Sequence, residues 1–209
     1  GKGQARKSPE AICVCVCSVI LLLLFIVLST ISWFLVHPIR HGIKGTPADY
    51  GMNFQEIIFL SRDNLQQLRG WFLPSNDSRK TVIFAHGYRN NRTQDDVPAL
   101  ELAKGRIDAG YNVLMFDFRG CGESDGIMIS IGFYEVDDLL GAVDFLLQAQ
   151  GLSEHVAVLG FSMGASTAIL AGTREPAIEA VIADSPFADL SELLMGKLNP
   201  FGHTVIRLA

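Results

Sequence analysis

The chain has 209 residues, 49% hydrophobic and 19% charged, with five more acidic than basic side chains. Its mean hydropathy of +0.29 is high for a domain surrounded by water. These figures exclude a disordered tail, a collagen-like repeat and a disulfide-rich miniprotein, and the acidic balance gives no support to nucleic-acid binding.

Residues 1–10 carry Lys2, Arg6 and Lys7 against Glu10 and read as a basic cytoplasmic tail. Residues 11–36 contain no charged side chain. As a helix they would extend about 39 Å, enough to cross a hydrocarbon core of about 30 Å with some tilt. The stretch exceeds the apolar part of a cleaved signal peptide and runs on into Trp33, a residue suited to the membrane interface. An uncleaved single-pass anchor is therefore expected. The basic tail should stay in the cytoplasm, which predicts that the acidic domain beyond the anchor lies on the extracytoplasmic side. Cys13, Cys15 and Cys17 read as small apolar helix residues, and no metal site is expected of them. Cys121 stands alone in the domain.

Residues 37–50 read as a linker broken by Gly42, Gly45 and Pro47. Two strands are predicted at 55–60 and 68–73, joined by a turn at Arg62-Asp63-Asn64. A continuous apolar run at 81–85 predicts a strand buried on both faces, and 112–117 predicts another buried strand, with a helix over 96–109 between them. An amphipathic helix follows at 133–150, with Leu139, Leu140, Val143, Leu146 and Leu147 on its apolar face. A strand at 155–159, a helix at 163–173 and a strand at 180–183 complete the series. Strands alternating with helices predict an α/β fold, a mostly parallel doubly wound sheet with helices on both faces.

The informative motif is Gly160-Phe161-Ser162-Met163-Gly164, where a buried strand meets a helix rich in small residues. G-x-S-x-G in that setting predicts a sharp strand-to-helix turn presenting Ser162 as a nucleophile, because side chains two positions either side would collide. The competing role for Ser162 is a helix N-cap, which does not need both glycines. The hydroxyl would project at the C-terminal edge of the strands, where open α/β sheets place their ligands.

This motif, His86-Gly87 after one buried strand and Asp117-Phe118-Arg119-Gly120-Cys121-Gly122-Glu123-Ser124 after the next, together resemble the α/β-hydrolase superfamily. Thr46–Gly51 and Ala183–Leu190 narrow the resemblance to membrane-anchored bacterial hydrolases of serine-aminopeptidase-like or lysophospholipase-like type. It implies that the backbone N–H groups of Tyr88 and Met163 form an oxyanion hole. It also implies that His86 is structural and not the base, and that the Arg119–Ser124 loop packs beside the site.

A serine nucleophile needs a base and an acid, which in this fold follow it in the order acid, then histidine. Only His203 follows Ser162. A compressed triad of Ser162, Asp184 or Asp189, and His203 satisfies the order but lacks the two strand–helix units that normally carry the partners. Residues 51–209 are therefore expected to be the N-terminal part of a hydrolase domain that continues for about 80–110 residues, at roughly 30 per missing unit. The expected activity is hydrolysis of a small-molecule or lipid-like ester (or a thioester or amide) through an acyl-enzyme on Ser162, with no metal or organic cofactor. The alternative is a membrane-tethered scaffold or binding module that keeps the sheet without the chemistry.

Overall fold

A computed structural model describes residues 9–37, 39–148 and 152–198. It divides into two units, residues 1–38 and 39–209. The first consists of helix α1, Pro9–Val36. Within it Ile12–Val36 is long and apolar enough to cross a membrane, and none of its most apolar stretch is buried against protein. Thr30 turns its hydroxyl back onto the Ile26 carbonyl at 2.7 Å, so this polar group is satisfied without water. A helix apolar on every side calls for lipid around it, though a signal sequence shares that chemistry.

The second unit is a six-stranded mixed sheet: β1 Gln55–Leu60, β2 Gln67–Leu73, β3 Lys80–Ala85, β4 Asn112–Phe116, β5 His155–Phe161 and β6 Ile178–Asp184, in the order β1-β2-β4-β3-β5-β6. β1 and β2 form an antiparallel hairpin and β2 runs antiparallel to β4, while β4/β3, β3/β5 and β5/β6 are parallel. Helix α2 (Ala99–Asp108) lies on one face, and α3 (Glu135–Gln148) and α4 (Met163–Arg174) on the other; α5 spans Leu190–Leu198.

The period of two along each strand divides the core between the faces. Ile83, Ala85, Leu114, Phe116, Val156 and Val158 pack with α3 and α4. Val82, Phe84, Val113 and Met115 pack with Ala99, Leu100 and Ala103 of α2. This is why β3 and β4 read as unbroken apolar runs.

Several boundaries differ from the expectation. α2 begins at Ala99 and not at residue 96, because Pro98 pushes the residue before it out of the helical region. α3 begins at Glu135 and not at residue 133. Gly132 holds φ +103°, and the Glu135 carboxylate accepts the Ser130 and Gly132 N–H groups. Its predicted end at Gln150 lies outside the described residues. Leu147 is exposed, two turns from Leu139 and rotated off the buried stripe. From Ile39 on, the predicted linker is bonded to the domain: Asn91 Nδ2 donates to the His41 and Gly42 carbonyls, and Thr93 Oγ1 accepts the Lys44 N–H.

Candidate active site

β5 ends at Phe161, α4 begins at Met163, and Ser162 between them holds φ 50° and ψ −112°. That conformation is costly for a residue with a Cβ and needs a scaffold to impose it. Two glycines make the scaffold possible. A Cβ on Gly164 would overlap the Ala85 carbonyl oxygen, and one on Gly160 would lie 2.6 Å from Ala165 Cα. The turn is held from both sides, by the Ser162 N–H donating to the Asp184 carbonyl at 2.8 Å and the Ser166 N–H to the Ser162 carbonyl at 3.1 Å. The Ser162 side chain makes no capping hydrogen bond to α4 and is exposed. Its hydroxyl is thus not used as an N-cap.

Tyr88 follows Gly87 just beyond β3, and a Cβ on Gly87 would lie 3.7 Å from Ser162 Cβ. The β3 loop and the elbow are therefore in contact. Met163 is the first residue of α4, so its N–H has no acceptor within the helix and stands at the positive end of the helix dipole. The Gly87 N–H donates to Gln94 Oε1 at 2.8 Å. Gln94 is buried at φ 42°. Among the described residues, five non-glycine residues with positive φ sit on loops at this one edge of the sheet: Arg89, Gln94, Ile131, Ser162 and Ser185.

His86 is buried, and its Nε2 accepts the Phe118 N–H at 3.0 Å. Nδ1 then carries the proton and donates to the Gly87 carbonyl at 2.8 Å. Burial lowers the pKa of the ring, against the pull of Asp117. Both nitrogens are occupied in positioning loops. Asp117 is fully buried and takes the Arg92 guanidinium at 2.6 and 3.1 Å, with the Arg92 and Glu123 N–H groups. Gly122 is required here, because a Cβ would overlap that carboxylate. Arg119 pairs with Asp138 and Asp63. The Cys121 thiol is buried and its pKa is pushed up by that burial, the opposite of an activated nucleophile.

The Asp184 carboxylate accepts the Ser185 hydroxyl at 2.7 Å. Asp189 caps α5, accepting the Ser191 hydroxyl at 2.6 Å, the Ser191 N–H at 2.7 Å and the Glu192 N–H at 3.3 Å, and these bonds, the hydroxyl's foremost, hold its pKa below the usual range. His203 lies outside the described residues, and with it the compressed triad. The fold therefore brings Ser162 beside the Gly87–Tyr88 turn and Met163, and does not bring a histidine base to Ser162 among the described residues. Gln94, Arg92 and Arg40 were not singled out from sequence; they support the loops around the serine.

A mixed sheet in this order, with a strained serine at the turn from β5 to α4, defines an α/β hydrolase. The family described as "Serine aminopeptidase, S33" matches residues 76–209, and the chain belongs to it. The Pyrococcus furiosus esterase Pf2001 is similar at 32% identity and a TM-score of 0.71, over 79% of this chain and 66% of that one. The uncharacterized protein YqkD of Bacillus subtilis is 35% identical over 133 residues, 63% of this chain and 42% of YqkD. The uncharacterized protein YfhR of Escherichia coli K12 is 29% identical over 185 residues, 82% of this chain and 62% of YfhR. The chain thus spans between about two-fifths and two-thirds of the length of these relatives.

Proposed function

We propose that this chain carries the nucleophile and oxyanion hole of a serine hydrolase acting on carboxylic esters. The observation that carries the reading is Ser162, held at positive φ between two glycines with an exposed hydroxyl. Ser162 Oγ attacks the ester carbonyl while a base takes its proton. The Tyr88 and Met163 N–H groups hold the resulting alkoxide, where fixed donors matter most because they need no reorganisation. Collapse of the tetrahedral intermediate returns the proton to the leaving alcohol and leaves an acyl-Ser162. Water, activated by the same base, then releases the acid. His86 is excluded as that base by its two hydrogen bonds, and His155 sits at the opposite end of β5 against Glu179. In this fold the histidine follows the nucleophile in the chain, and the base is assigned to a residue after Ser162, outside the described residues. An ester is preferred over an amide because an alkoxide is a far better leaving group than an amide anion and depends less on being protonated as it departs.

We assign residues 12–36 as a retained membrane span, with the domain extracytoplasmic. The charge-free run and the basic residues before it support this.

The direct test is labelling of the full-length protein by a fluorophosphonate, which reacts with an activated serine whatever the substrate. Ser162→Ala should abolish labelling while changing stability by less than about 1 kcal/mol, since it removes one solvent-facing hydroxyl. Undiminished labelling of that variant would mean another nucleophile.

A further inference from the structure

The loop between β4 and α3 turns apolar side chains into solvent. Ile127 is 80% exposed and Phe133 69%, with Tyr134 and Met128 also exposed. The loop that carries them is tightly built. The Gly120 N–H donates to the Asp125 carbonyl and the Asp125 N–H to Gln67. The Ser124 hydroxyl donates to the Asp117 carbonyl at 2.6 Å, and the Glu135 carboxylate gathers Ser130 and Gly132. Phe133 and Tyr134 pack edge to face at 4.9 Å, with the Arg119 guanidinium 5.5 Å from the Tyr134 ring. A position at Gly132 is in contact with Thr167 on α4, so the loop lies beside the helix that Ser162 begins. Exposed apolar side chains held outward by such a scaffold mark a surface that meets something apolar.

A second observation identifies what it meets. The Arg40 guanidinium donates to the carbonyl oxygens of Gly122, Ser124 and Gly126 on this loop. Ile39 beside it is 86% exposed. In the sequence Arg40 stands four residues beyond Val36, where the apolar stretch ends. Four residues reach at most about 14 Å when extended. Arg40, which bonds the loop, is therefore separated from the end of that stretch by no more than this length of chain.

We propose that Ile39, Ile127, Phe133 and Tyr134 form a lipid-contact surface; this rests on residues 12–36 being a retained membrane span. Aromatic and aliphatic side chains with a nearby phenol are the chemistry of the membrane–water boundary. Glu123 and Asp125 are exposed on the same loop, so the contact is apolar and does not need anionic lipid.

The test places a nitrobenzoxadiazole reporter on an Ile127→Cys variant of the full-length protein in phosphatidylcholine nanodiscs. Cys13, Cys15 and Cys17 are replaced by Ala; Cys121 is buried. The reporter should emit to the blue and be quenched by doxyl-labelled lipid. The same reporter at Glu154→Cys, exposed at the opposite edge of the sheet, should stay at its water value. Equal, water-like emission at both positions, with the protein resisting an alkaline carbonate wash, would overturn the surface and leave the span standing. Release of the protein by that wash would overturn the span and the surface with it.

Discussion

At the scale of single residues, the elbow sets two effects of opposite sign against each other at Gly164. Alanine there gains about 1 kcal/mol of helix propensity over glycine. Its Cβ would also overlap backbone atoms of β3, Ala85 and His86, which cannot move aside as a side chain can. The steric effect wins, and Gly164→Ala should cost about 3 kcal/mol or more in chemical denaturation. A net gain in midpoint would show that the helix can lift off the sheet. The glycines and Ser162 were legible in the sequence because backbone crowding dictates them locally. Asn91-Arg92-Thr93-Gln94 was not. These four consecutive polar residues carry no apolar period, yet all four are buried. Their partners, Asp117 and the Gly87 N–H among them, are distant or on the main chain, and no local pattern announces such pairings. Cys121 carries a further test. Its burial and raised pKa mean that Cys121→Ser should leave fluorophosphonate labelling intact.

Between elements, ion pairs do what apolar packing does not. Arg62, in the turn after β1, donates to Asp144 on α3 at 2.6 and 2.8 Å and to Glu175 after α4 at 2.8 Å. The network is about one-third exposed, so solvent screens it, and Arg62→Ala should cost roughly 1–2 kcal/mol. Glu175→Gln should take up part of the same loss, read by a double-mutant cycle of denaturation midpoints. The buried Asp138 behaves differently with pH. Burial pushes its carboxyl up to about 6 despite the Arg119 guanidinium. A carboxyl with a raised folded pKa favours the folded state below its unfolded value, near 3.8, and that contribution is lost as pH rises towards 6. Glu175 and Asp63 are lowered, so theirs is lost at the acid end instead. Stability should therefore fall from pH 4 to pH 6 by a component that Asp138→Asn removes, measured by urea titration at each pH. An unchanged pH slope in that variant would mean Asp138 is ionised throughout. The order and type of the predicted elements came through in the sequence because apolar periodicity is a property of each segment by itself. The starts of α2 and α3 did not, because Pro98 and the Glu135 cap act on neighbours outside the period.

For the whole molecule, the decisive feature is how unevenly the described helices cover the sheet. α2 is ten residues long and covers β3 and β4. Beyond it, Ala157 of β5 and Ala180 and Ile182 of β6 line a cavity of about 540 Å³ with Val82, Arg106 and Tyr111. Among the described residues β6 is also an edge of the sheet, with no strand on its outer side. An apolar residue on an unpaired edge invites pairing with another chain, and Ile182 is 54% exposed. Aggregation of the 209-residue chain should therefore start at β6. Ile182→Lys places a charge where a second edge would dock and breaks the apolar surface, while leaving the β5 pairing through the main chain untouched. The expected result is a larger soluble fraction on expression and weaker binding of an apolar dye such as anilinonaphthalene sulfonate. A smaller soluble fraction would mean that Ile182 is buried in the protein's working state, since a lysine ammonium is tolerated on an open face and penalised in a closed one.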